Sequence, residues 1–431
     1  MQGNKKLTVL FAPTDSMAHV NACHGLAEEF RDRGHRVVFT MDRAFKGRLE
    51  KYGFEEYPIA SGRNNSSVAV TQFITQLKHV FKLTPIQIAD KFVSRAFELF
   101  FKRLRDAESQ YKEIVGTVRP DIIVCDAYLG SPALTNSGIP FVYLLSSDPL
   151  FAMNDDNLPP PFLGLPLNEN RDKWTEIRHN LNEMFAQLRQ DYDKWLVANG
   201  APPLPSTHPN WGLHPRSPYL NIYQTPEELD YKSQQPGAQV WRRVNGFVRD
   251  TGDTFVIPEP LSRKSGKLCL LSLGSMGCAH LDLMVRLTRV LGKSKHRFIV
   301  NKGPLHDKYD LPDNMWGAPY LPQTALLPLM DLVITHGGNG TVNECFYYGV
   351  PVLAMPLYGD QYDTAQRVRE SGLGLRLNPF HCTDAELLGT VDDMVNDVEL
   401  GRRMKAIGER LRAANDKRVI ADIIEDIVSK K

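Results

Sequence analysis

The stretch THGGNGTVNECFYYGVPVLAMPLYGDQ, from Thr335 to Gln361, gathers groups suited to an anionic, hydroxyl-rich ligand. The apolar run DLVIT before it reads as a buried strand. His336, Gly337, Gly338, Asn339, Gly340 and Thr341 then open a helix whose Val342, Cys345 and Phe346 point inward. Glycines let a ligand approach the backbone, the N–H groups of a helix start favour negative charge, and His336 adds a donor. That is chemistry for a diphosphate held without a metal. Glu344, in the first full turn, is placed to reach a ribose diol, or else to complement the helix dipole. Asp360 and Gln361 close a strand and open another helix. A carboxylate beside an amide suits the vicinal hydroxyls of a hexose, with an ordinary N-cap as the competing reading of Asp360. A second anion-holding turn is LSLGSMG, 271–277, where a strand ends near Gly274 and Ser275 and a helix is predicted from about Ala279. A glycine turn needed only for its shape explains it equally well.

Acid–base chemistry falls in the N-terminal half. FAPTDSMAHVNACHG follows the first strand and puts His19 at the start of the first helix. In IIVCDAYLG, Asp126 ends another strand, where its carboxylate can accept one N–H of His19, fix the tautomer and stabilise an imidazolium. His24 points elsewhere on the helix. A structural His19 and a helix-capping Asp126 are the plainer alternatives.

These loops need strands to carry them. LTVLFA, RVVFTM, FEEYPI, IIVC and FVYLL alternate with helical segments at 19–33, 43–52 and 69–117 and one ending at Gly138, which is βαβ rhythm over one parallel sheet. Val20, Cys23, Ala27 and Phe30 share one face of the first helix, Glu28, Glu29, Arg31 and Asp32 the wet one, and Gly34 closes it. The architecture restarts at KLCLLSL and continues through HRFIV, DLVIT, PVLAM and GLGLRL. Proline-rich segments at 149–168 and 202–218 read as loops or pocket walls. The expected fold is α/β, two Rossmann-like domains facing each other across a cleft. Their expected limits are 1–245 for an acceptor-binding domain, 246–265 for a linker and 266–405 for a nucleotide-sugar domain, with a helix at 406–431 packing back toward the first domain. Ligands of such sheets bind at the carboxyl ends of the strands, where all these loops lie.

The chain at this point resembles the family 1 UDP-glycosyltransferases. The resemblance spans nearly the whole length and is dense from Tyr320 to Gln361, with His336, Gly338, Thr341, Glu344, Gly349, Val350, Pro351, Pro356, Asp360 and Gln361 at the family's spacing. It implies the GT-B architecture, inversion at the anomeric carbon and no metal or other cofactor. By the resemblance His336, Asn339, Gly340 and Thr341 hold the diphosphate and Glu344 the ribose; Gly338 is counted with the same donor-binding residues, and the amides near Gly274 and Ser275 are expected to add to the diphosphate site. Asp360 and Gln361 hold the sugar, with Ser146 touching it from the other domain, and in YLPQ, 320–323, Tyr320 stacks on uracil while Gln323 binds its edge. His19 becomes the general base and Asp126 its partner. The family usually has tryptophan in place of Tyr320, and some members have it in place of Asn339. Phe151 and Met153 are expected in the acceptor wall, with parts of 69–100. The implied reaction moves a hexose, glucose by the Asp-Gln ending, from a UDP-sugar to a hydroxyl of a small hydrophobic acceptor such as a polyphenol, terpenoid or xenobiotic, a detoxifying role. A UDP-sugar epimerase and a non-catalytic nucleotide-sugar-binding subunit are the competing functions, and a nicotinamide dehydrogenase is disfavoured because no G-x-G-x-x-G follows the first strand.

Composition agrees with a globular protein of two domains. In 431 residues, 42% are hydrophobic and 23% charged, and 51 basic against 50 acidic residues leave a charge of +1. Such a balance offers no field for nucleic acid or an anionic membrane. Six scattered cysteines read as reduced core thiols. The amino-terminal apolar run is too short for a signal peptide and no stretch suits a membrane span, so a cytoplasmic monomer is expected.

Overall fold

The computed structural model describes residues 6–60, 67–231 and 240–430. The opening MQGNK, residues 61–66 and 232–239, and Lys431 of the predicted tail helix lie outside the described residues. Two all-parallel sheets organise the remainder.

The first sheet contains β1 (Thr8–Pro13), β2 (Arg36–Asp42), β3 (Glu55–Ile59), β4 (Ile122–Asp126), β5 (Phe141–Leu145), β6 (Leu220–Gln224) and β7 (Trp241–Val244), in the order β3-β2-β1-β4-β5-β6-β7. Both of its faces are covered. Leu10 and Ala12 of β1 enter one core with Ile123, Tyr143 and Phe97, while Val9 and Phe11 enter another with Val20, Phe30 and Phe39. The second sheet contains β8 (Leu268–Ser272), β9 (Arg297–Asn301), β10 (Met315–Ala318), β11 (Leu332–Thr335), β12 (Val352–Ala354) and β13 (Gly374–Arg376), in the order β10-β9-β8-β11-β12-β13. Each sheet reverses its winding direction once, between β1 and β4 and between β8 and β11. A crevice opens at the carboxyl ends of such a pair.

Several elements differ from the sequence pattern. Residues 43–52 form two short 3-10 turns, Arg43–Phe45 and Glu50–Tyr52. The helical stretch 69–117 is broken near Pro85, which starts a new short helix, and resumes as Ser94–Val118. The turn after β8 holds a four-residue helix, Gly274–Gly277, so the long helix starts at Leu281 rather than Ala279. β6, β7, β10 and the helix Arg171–Ala198 were not expected. Glu28 does not face water: it is buried, accepts from the Asp250 amide and pairs with Lys417.

The helix Asp416–Ser429 lies on the helix Met17–Asp32, where Ile420, Ala421 and Ile424 join Val20, Ala27 and Phe30 in one core. Arg33 reinforces the contact by bonding Asp422 and Glu425 at 2.6 and 2.8 Å. Ile424 is fully buried. Ile424→Ala is expected to destabilise the first unit by about 2–4 kcal/mol, read as an earlier urea midpoint.

Candidate functional site

β1 and β4 pair in register, with Pro13 beside Asp126, and the Thr14 amide donates to the Asp126 carbonyl at 2.7 Å. The chain then turns into the helix Met17–Asp32, whose third residue is His19. Its ring returns over the end of β4, with Nδ1 2.9 Å from Asp126 Oδ1 and 3.0 Å from Ser146 Oγ. Both members of the pair are buried, and Tyr128 meets the imidazole edge-on with centroids 5.0 Å apart. These partners place the Nδ1 proton toward the carboxylate, the tautomer in which Nε2 is the unprotonated nitrogen.

Across the cleft, β11 delivers His336 and then the helix Asn339–Tyr348, whose N-cap Gly338 supplies no side-chain cap. Its first amides are therefore available to an anion. Burial lowers the His336 imidazole to about 4, so it is neutral near pH 7. Two glycines box the ring: a Cβ on Gly338 would lie 2.6 Å from His336 Nε2, and one on Gly274, whose φ is +69°, 2.8 Å from it.

One cleft takes its walls from both units. His19, Ser146, Gln323, His336, Gly338, Asn339, Gly340, Thr341, Glu344, Asp360 and Gln361 all line it. Gln323 Nε2 donates to Glu344 Oε2 at 2.6 Å, and Gln361 Oε1 accepts from the Leu357 and Tyr358 amides at 3.0 and 3.3 Å. Asp126 stands behind His19. Other candidates lie off the lining. Ser275 is exposed, and Tyr320 is 72% exposed outside the cleft. Phe151 and Met153 are buried in the first core, because apolarity marks packed interior as readily as pocket wall. Phe151 touches the site at second hand, edge-on to Tyr128 at 5.6 Å.

Asn339 does something the sequence did not suggest. Its Nδ2 lies 2.9, 3.2 and 2.9 Å from the carbonyls of Ser146, Ser147 and Gln224, so it fastens the second unit to the ends of β5 and β6. Gln224, Phe247 and Val248 also line the cleft and were missed. The rule that strand ends carry ligands would have found Gln224 had β6 been expected.

A second junction joins the loop after β5 to the helix Gln361–Glu370. Asp363 accepts from the Phe162, Leu163 and Gly164 amides at 2.6, 3.1 and 2.8 Å, and the Asp148 amide donates to Asp360 Oδ2 at 3.1 Å. Burial, aided by Asp360, pushes the Asp148 carboxyl up to about 7. Burial, with Asp148 adding to it, raises the Asp363 carboxyl well above its ordinary range too, and the Phe162 and Gly164 amides oppose that shift. A carboxyl raised on folding stabilises most below its unfolded value near 4, and its contribution is lost as pH rises through about 7. Asp148→Asn is therefore expected to change little near pH 4 and to raise the thermal midpoint relative to wild type at pH 8.

Comparison with known proteins agrees with this geometry. Residues 262–404 match the family described as UDP-glucoronosyl and UDP-glucosyl transferase. Over 97% of this chain and 99% of its own length, 4'-demethylrebeccamycin synthase of Lentzea aerocolonigenes is 24% identical. UDP-glucuronosyltransferase 2A3 of Cavia porcellus is 24% identical over 88% of this chain and 76% of its own. Among solved structures, the glycotransferase of kitacinnamycin superposes with a TM-score of 0.73 at 21% identity, covering 98% of this chain and 99% of its own. Among the described residues, no helix is long and apolar enough to cross a membrane. Two Rossmann-like units with a cleft between their switch points give the chain the GT-B architecture, and residues 262–404, in the second unit, carry the segment that matches the glycosyltransferase family.

Proposed function

We propose that the protein transfers glucose from UDP-glucose to a hydroxyl of a small hydrophobic acceptor, with inversion and without a metal. The observation that carries this reading is the His19 to Asp126 contact of 2.9 Å, set across one cleft from His336 and Asp360. His19 Nε2 takes the proton of the acceptor hydroxyl as that oxygen attacks the anomeric carbon. The bond from that carbon to the diphosphate oxygen breaks, and UDP departs with the electron pair. Asp126 stabilises the imidazolium formed on His19. Charge growing on the diphosphate meets the amides at the start of helix Asn339–Tyr348 and the neutral donor His336. Glu344 receives the ribose, Gln323 the base edge, and Asp360 with Gln361 the sugar hydroxyls. The aromatic layer of Tyr128, Phe97 and Phe100 beside His19 favours a flat, apolar acceptor.

The test is incubation with several UDP-sugars and a panel of phenols and alcohols, with and without EDTA, following product mass, anomeric configuration and released UDP. The expected result is a β-glucoside formed equally well with EDTA present. Product with retained configuration, or donor isomerised in the absence of any acceptor, would sink the reading.

A further inference from the structure

Glu344 is already gripped at both carboxylate oxygens. Nη1 of Arg249 donates to Oε1, and Gln323 Nε2 donates to Oε2 at 2.6 Å. Arg249 belongs to neither sheet: it lies on the segment between β7 and β8. That segment is pinned on either side of it. The Phe247 amide donates to Gln224 Oε1 at 2.9 Å, and Thr251 Oγ1 meets Thr324 Oγ1 at 3.1 Å, next to Gln323.

The two grips are unequal. Arg249 and Glu344 are each 8% exposed, so parting them strands a buried charge. Gln323 is a neutral amide on a half-buried side chain, and its other contact, to Thr341 Oγ1, is 3.4 Å long. A ligand entering the cleft therefore exchanges with Gln323 and leaves Arg249 in place. A carboxylate oxygen has two lone pairs, so Oε1 can serve Arg249 and still accept a second donor. A carboxylate with its plane fixed in this way presents both oxygens to two neighbouring hydroxyls at once. One free to rotate loses that match.

We propose that Arg249 is a positioning residue for donor recognition: it fixes the plane of Glu344 so that the carboxylate reads both hydroxyls of a ribose, selecting ribonucleotide over 2′-deoxyribonucleotide donors. The proposal rests on Glu344 being the ribose contact of the function proposed above. Gln323, once released from Oε2, is freed for the base edge, so nucleoside entry sets both side chains in one step.

Calorimetric titration of the full chain with UDP and with dUDP tests it. Each hydroxyl given to a charged acceptor is worth about tenfold or more in affinity, so wild type is expected to bind UDP at least tenfold tighter than dUDP. Arg249→Met should weaken UDP about tenfold and bring the two nucleotides to near parity, and Arg249→Lys, which keeps a charge there, should restore part of the preference. Equal binding of UDP and dUDP by wild type overturns the proposal. So does an Arg249→Met protein that loses affinity for both by the same factor, since that is the mark of a merely structural residue. If Arg249→Met fails to fold, the wild-type ratio and the Lys variant decide. Wild type that binds neither nucleotide defeats the donor assignment itself, an outcome distinct from binding both equally.

Discussion

His19→Ala is expected to lower glycosyl transfer by about 10²–10⁴-fold while leaving the affinity for UDP within a few fold. The separation follows from where the ring sits. His19 is held by Asp126 and Ser146 on the first unit, and its loss removes the proposed proton acceptor without touching the helix start and the imidazole of His336 proposed to meet the diphosphate. Asp126→Asn should fall in the same range by another route. An amide donating to Nδ1 forces the proton onto Nε2, the nitrogen that must be unprotonated to act as base. Rates with one phenolic acceptor, alongside UDP titrations of both variants, check this. Turnover near wild type in His19→Ala would remove the residue from the chemistry.

Gly338→Ala is expected to lower kcat/KM by about 10²-fold with weaker UDP binding, although it adds a single methyl group. The new Cβ would lie 2.6 Å from His336 Nε2, on a fully buried ring that already packs against Gly274. Either the imidazole swings out or the helix start shifts, and both move donors away from the diphosphate. A double-mutant cycle separates this cause from a general loss of stability. On a His336→Ala background the clash is gone, so adding Gly338→Ala should cost almost nothing. Additive losses would show that the ring is not the obstacle.

The chemistry was legible in the sequence where type and spacing coincide with a strand end. His336, Glu344, Asp360 and Gln361 line one cleft because each leaves a strand of the second sheet or lies in the first two turns of the helix that follows. His19 and Asp126 meet because β1 and β4 are neighbours at the switch point; βαβ alternation implied that their strands share one parallel sheet, but not that they lie side by side. What could not be read was the contribution of short or polar pieces. β6 emerges from a proline-rich tract and reads LNIYQ, without the continuous apolar run of β4 or β5, so Gln224 went unseen. The helix Arg171–Ala198 did carry one, with Leu181, Phe185, Leu188, Tyr192 and Leu196 all buried at spacings of three and four. Arg249 and Asn339 illustrate a deeper limit. Nothing local tells that an arginine in a connecting segment ends against a glutamate of the other unit, or that an asparagine at a helix start bonds carbonyls of the facing sheet rather than waiting for a phosphate. Such pairings are products of docking between the units, and propensity does not encode them.

The return of the last helix to the first unit has a mechanical consequence. The second unit is joined to the first both through the segment after Val244 and through the turn before Asp416, where the Asn245 amide and side chain both bond the Asp416 carboxylate, at 2.8 and 2.9 Å. The outgoing and incoming strands of the connection are thus clasped together at one spot, like the two leaves of a door sharing a single pin. Beyond that clasp the two walls of the cleft are held to each other by the carbonyl bonds of Asn339 and the amide bonds of Asp363, so Asp416→Ala would release the two crossings from one another and leave those junctions in place.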